Sequence, residues 1–100
     1  MVEIKKDDGE KLRFTAKSNG ELLAEATGEI TGSEIVIDGF EGDRFLFDGV
    51  CRAMLSWAEG QGAVSCRFAA NISDELMIVY GGKRNFEYIS EIFFSHKCCN

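Results

Sequence analysis

Asp38, Glu41, Asp43, Arg44 and Asp48 form the densest group of reactive side chains in this 100-residue sequence. Carboxylates spaced this closely can act as a general base, hold a cation or cap a helix. Asp38 or Glu41 would serve as the base if either stands at a strand end. A second group closes the sequence as Ser95-His96-Lys97-Cys98-Cys99-Asn100. His96, Cys98 and Cys99 are soft ligands suited to zinc or copper(I). Adjacent cysteines point in different directions, however, and no fourth ligand is evident, so a terminal tail is expected and not a metal site. His96 is the only histidine, which excludes chemistry that needs two.

The acidic group lies inside a βαβ pattern. Residues 34–38 alternate as a strand. The run Val50-Cys51-Arg52-Ala53-Met54-Leu55-Ser56-Trp57-Ala58 has helical spacing, and Gly60-Gln61-Gly62 stops it. Residues 63–68 then form a second strand, expected to lie parallel to the first. Ligands of such units collect where the first strand hands over to the helix. That places the candidate binding residues at Asp38, Phe40, Gly42, Arg44 and Gly49. Asp48 is expected to cap the helix, with Asp43 as the alternative start one turn earlier. Arg52, four residues on, can pair with Asp48 on the helix face.

Before this unit, Asp7-Asp8-Gly9, Ser18-Asn19-Gly20 and Thr31-Gly32-Ser33 separate strand candidates near 1–6, 11–16, 21–29 and 34–39. Tight turns between short alternating segments predict an antiparallel meander with one packed face. After it, Ser73 can cap a short helix over 74–80 that ends at Gly81-Gly82, although Met77-Ile78-Val79-Tyr80 would also suit a buried strand. A last strand is expected over 86–94. The predicted fold is a single α+β domain, residues 1–100, with a mixed sheet of about six strands and two helices. Cys51 and Cys66 fall on inward positions and read as small core residues.

This order of elements resembles the core of the GNAT-type N-acetyltransferases. Residues 50–62 resemble that family's third helix, and Asn71, Tyr80, Gly82 and Phe86 are similar to its Asn, Tyr and Gly-Phe after the fifth strand. The two helices that normally follow the first strand are missing, since only Asp7-Asp8-Gly9-Glu10 separates strands one and two. The resemblance implies acetyl-CoA as cofactor, Tyr80 as the acid that protonates the departing thiolate, and a strand-four amide that holds the thioester oxygen. The family cradles the coenzyme A pyrophosphate on an Arg/Gln-x-x-Gly-x-Gly/Ala loop. Here that loop is Phe40-Glu41-Gly42-Asp43-Arg44-Phe45-Leu46-Phe47-Asp48-Gly49, bulky and acidic. Like charges about 4 Å apart repel by roughly 4 kcal/mol at an effective dielectric near 20. One close carboxylate therefore offsets phosphate hydrogen bonds of about 1.5–3 kcal/mol each. The expectation is a GNAT-like module without a cofactor that binds a ligand or dimerises; the alternative is an acetyl-CoA-dependent N-acetyltransferase acting on an unknown amine.

Net charge is −6, and eight carboxylates against one base lie between Glu21 and Asp48. Such a field repels phosphate backbones, so the expected partners are a small molecule or a protein, a second copy included, and not nucleic acid. Phe93 and Phe94 would cover a dimer seam or close the core. No apolar run approaches the roughly 20 residues of a membrane span. The N-terminus also lacks a signal-peptide block, which gives a cytoplasmic expectation.

Overall fold

Strand β1 (Val2–Lys6) pairs antiparallel with β2 (Leu12–Ser18), which pairs with β3 (Glu21–Thr31), and β3 with β4 (Glu34–Gly42). The computed structural model describes residues 1–95. The β2–β3 connection is a two-residue turn in which Asn19 (φ 53°) and Gly20 (φ 84°) both take positive φ. That is the turn whose twist matches the flanking strands. The meander expected from turn chemistry is therefore present.

A 3₁₀ turn (Arg44–Leu46) leads into helix α1 (Phe47–Gly60), which crosses over to β5 (Ser65–Phe68). β5 runs parallel to β4, from Glu34↔Ser65 to Ile37↔Phe68. Helix α2 (Asp74–Met77) continues as a 3₁₀ turn (Ile78–Tyr80) and stops at Gly81, whose φ of 70° is left-handed. Ser73 Oγ accepts the amide of Leu76, so the cap read from the sequence is in place. Strand β6 (Asn85–Phe86) and helix α3 (Ser90–Ser95) follow. The six strands form one mixed sheet in sequence order.

The expected strand over 86–94 is corrected: only Asn85 and Phe86 are strand, and the rest turns into α3. Ile89, in the turn before α3, and Ile92 are both buried and spaced by three, and the Ile92 amide donates to the Ile89 carbonyl, which is helical and not strand geometry. The described residues thus contain three α-helices where two were expected. Among them no helix is long and apolar enough to cross a membrane.

One face of the sheet carries the core. Phe14, Ala16, Ala24, Ala26, Ile35 and Ile37 pack beneath Phe47, Val50, Cys51, Met54, Leu55 and Ala58 of α1. Each large side chain so buried contributes roughly 1.5–3 kcal/mol. The small residues of β2 and β3 let the helix approach closely. Register places Arg13, Thr15, Glu25 and Thr27 on the opposite face. Two bulges bend the sheet: Leu23 is the extra residue in β3, and Asp38 the extra residue in β4.

Gly28 lies where β3 packs closely against both β4 and α1. A Cβ there would lie 2.7 Å from the Val36 carbonyl oxygen and 3.2 Å from Met54 Sδ. Gly28→Ala is expected to destabilise the fold by about 1–3 kcal/mol, as other overpacking changes do. Denaturant unfolding would register this as a lower midpoint with an unchanged slope.

Candidate functional site

The segment joining β4 to α1 is held by its own side chains. Gly42 leaves β4 with φ 112°, and a Cβ there would meet the Leu23 carbonyl oxygen at 2.3 Å. Asp43 comes next in extended conformation. Its amide donates to the Leu23 carbonyl (2.9 Å), its carboxylate accepts the amide of Phe45 (2.9 Å) and its carbonyl accepts that of Leu46 (2.9 Å). The amide of Phe47 donates to the Arg44 carbonyl. Four amides that could face a bound anion thus already have acceptors inside the chain.

This corrects the first choice of cap and matches the alternative start one turn earlier. Asp43, not Asp48, takes the free amide at the helical start, whereas α1 proper begins after Leu46 without a side-chain cap. Asp48 is turned inward instead. Arg52 Nε donates to both of its oxygens (2.9 and 3.0 Å), which is the i,i+4 pair read from the sequence. The Tyr80 hydroxyl donates to Asp48 Oδ1 at 2.6 Å. Arg52 also reaches the Ile92 carbonyl (3.4 Å) and stacks over Phe93. Asp48, Arg52 and Tyr80 therefore tie α1 to α2 and α3.

Tyr80 is 1% exposed and sits among Phe47, Phe68 and Phe86, with ring centroids 5.4–6.3 Å away. Burial, with Asp48 adding to it, pushes its pKa far above the ordinary value near 10. At the position where the resemblance implies an acid, the hydroxyl is thus bonded to Asp48 and enclosed by rings.

A cleft of about 340 Å³ opens between the 3₁₀ turn before α1 and the α2 segment. Phe47, Leu76 and Val79 form much of its wall, with Phe45 and Ile78 at the rim beside Arg44, Asp48 and Glu75. Arg44 and Glu75 form an ion pair across it, and the Arg44 guanidinium lies over the Phe45 ring. Phe45 is 82% exposed, Ile78 71% and Val79 44%.

Of the five binding residues expected at the crossover, Arg44 lines this cleft. Phe40 packs edge-on against Phe47 (5.1 Å), and Gly49 in the first turn of α1 lies next to Ile4. Asp38 belongs elsewhere: it accepts from Thr27 Oγ1 (2.7 Å) and Lys11 Nζ (2.8 Å). Burial would raise its pKa, but these hydrogen bonds outweigh that and hold it below the ordinary carboxylate value. Asn71 Nδ2 donates to the Asp38 carbonyl (2.7 Å), bridging the gap where β4 runs past its last partner in β5.

Cys51 and Cys66 are buried, with burial raising both thiol pKa values, that of Cys66 to about 12. Among the described residues no group of His, Cys, Asp and Glu is placed to hold a metal. His96, Cys98 and Cys99 lie outside them, as does any description of the Phe94 side chain. Phe93 packs against the core.

The exposed apolar residues Phe45, Ile78 and Val79 are absent from the sequence-based site. For Ile78 and Val79 the signal was the run Leu76-Met77-Ile78-Val79-Tyr80, which on a helix cannot point wholly inward. The chain matches no protein-family model and no curated protein.

Tyr80→Phe removes a hydrogen bond to a charged acceptor and should cost about 1.5–3 kcal/mol of stability. A raised folded-state pKa means that Tyr80 contributes stability fully present below pH 10 and lost as pH rises above it. In an ultraviolet difference titration of wild type against this variant, Tyr80 should show no phenolate until the protein unfolds in alkali. A Tyr80 phenolate forming near pH 10 in the folded protein would contradict its burial.

Proposed function

We propose that this chain is a GNAT-like domain that binds and does not catalyse, and that its binding surface is the apolar cleft between the start of α1 and α2. The observation that carries this reading is the internal use of the loop amides, with the Asp43 carboxylate where a phosphate oxygen would otherwise accept. A second carboxylate, Glu75, lies beside the arginine of that segment. An incoming pyrophosphate would have to displace one carboxylate and face the other. The cleft is mainly apolar and lies in the ordinary size range of ligand pockets. Fold likeness leaves the activity to be argued from the site, and here the site favours apolar contact.

The acetyl-CoA-dependent N-acetyltransferase reading draws on one feature. β4 continues from Asp38 to Gly42 beyond its pairing with β5, which leaves a strand-four edge for a thioester to approach. Tyr80 would then have to give up its bond to Asp48 to act as the acid.

Isothermal titration of the reduced protein with acetyl-CoA and with free CoA separates the two. The binding-module reading expects no heat up to millimolar ligand and an unchanged melting temperature. Micromolar affinity would overturn it in favour of the acetyltransferase.

A further inference from the structure

The cleft carries on one surface both a projecting ring and a recess. Phe45 stands 82% exposed on the 3₁₀ turn, and Ile78 stands 71% exposed on the opposite rim. Between them the recess of about 340 Å³ is walled by Phe47, Leu76 and Val79. An enclosed cavity of about 150 Å³ holds benzene, so this open recess has volume enough for a phenyl ring. Its two sides are also oppositely charged, Arg44 on the turn and Glu75 on α2.

We propose that the cleft seats a second copy of this chain, the Phe45 ring of each copy filling the other's recess about a two-fold axis. A two-fold contact uses the same patch on both copies, so that patch must be complementary to itself. This one meets the condition twice, in shape through Phe45 and the recess, and in charge through Arg44 and Glu75. In the monomer the Arg44–Glu75 pair is exposed and worth little. Across the seam each arginine meets the other copy's glutamate, shielded by the apolar side chains around it. A small ligand in the recess would leave Phe45 and Ile78 in water; a second copy covers both. Asp48 borders the recess, but its bonds to Arg52 and Tyr80 stay within the protomer, so each copy keeps its own fold.

The inference rests on the reading of this cleft as a binding surface, and the two fail separately: coenzyme A binding overturns the reading, and a monomeric chain without it overturns only the dimer. The experiment is sedimentation velocity on the full chain over rising concentration. The expected result is a shift from 11.1 kDa toward twice that mass. Phe45→Ser, an exposed change, should weaken association at least about tenfold and leave the melting temperature unchanged at dilutions where both proteins are monomeric. Charge reversal supplies the second test. Arg44→Glu and Glu75→Arg should each be monomeric alone, because like charges then face across the seam. Mixed in equal amounts they should form a heterodimer. A chain that stays monomeric at every concentration overturns the proposal. So does a Phe45→Ser variant that dimerises like wild type, or a charge-reversed pair that fails to associate on mixing.

Discussion

The first turns of helix α1 are held by carboxylates of the chain itself, and the rest of the site follows from that. Asp43 accepts the Phe45 amide, and Asp48, one turn on, accepts from Arg52 and Tyr80. A helix start has unpaired amides and a positive end that must be answered by something. In many βαβ units the answer is a bound anion; here the amides of the 3₁₀ turn that leads into α1 go to the Asp43 carboxylate and to backbone carbonyls. The two acids differ in what they do. Asp43 satisfies backbone locally, whereas Asp48 gathers α2 and α3 around α1 through a partly buried ion pair and a buried phenol.

With the polar requirement of the loop met internally, its side chains are left to make apolar contact. Phe47 turns inward onto Phe40, Phe68 and Tyr80 and becomes part of the core. Phe45, two residues earlier, points the other way. The α2 segment repeats this division, with Met77 and Tyr80 buried and Ile78 and Val79 exposed. Two short elements, each with an inward and an outward apolar side, meet at the cleft. The cost of exposing those groups is tolerable because the sheet and α1, joined by Ile72, Met77, Tyr80, Ile89 and Ile92, bury one continuous core.

Much of this fold is legible in the sequence because the governing interactions are local. The strands of the meander follow from alternation and from turns whose residues accept positive φ, and the α1 face follows from the spacing of Val50, Cys51, Met54, Leu55 and Ala58. The Ser73 cap and Gly81 stop read correctly for the same reason. The errors arise where one local pattern serves two structures. Phe86 and Tyr88 alternate like a strand, yet Ile89 and Ile92 are spaced as in a helical turn, and it is these two that are buried in the core while Tyr88 stays exposed. Asp43 and Asp48 are equally good caps by type; the 3₁₀ turn before α1, which a propensity does not specify, hands the cap to Asp43 and frees Asp48 for Tyr80. The cleft depends on bringing residues 44–48 against residues 75–79, a pairing that no short window contains. Tyr80's bond to Asp48 likewise spans 32 positions.

The central claim, that the amides between β4 and α1 are answered by the chain's own Asp43, is tested most directly by nuclear magnetic resonance. Inorganic pyrophosphate would be titrated into the ¹⁵N-labelled protein while the amides of residues 43–49 are followed. The expected result is that the Phe45 and Leu46 resonances stay in place, with only weak, non-saturating shifts at lysines elsewhere. Saturable movement of those two amides, with Asp43 released from Phe45, would contradict it and show the loop to be an anion seat.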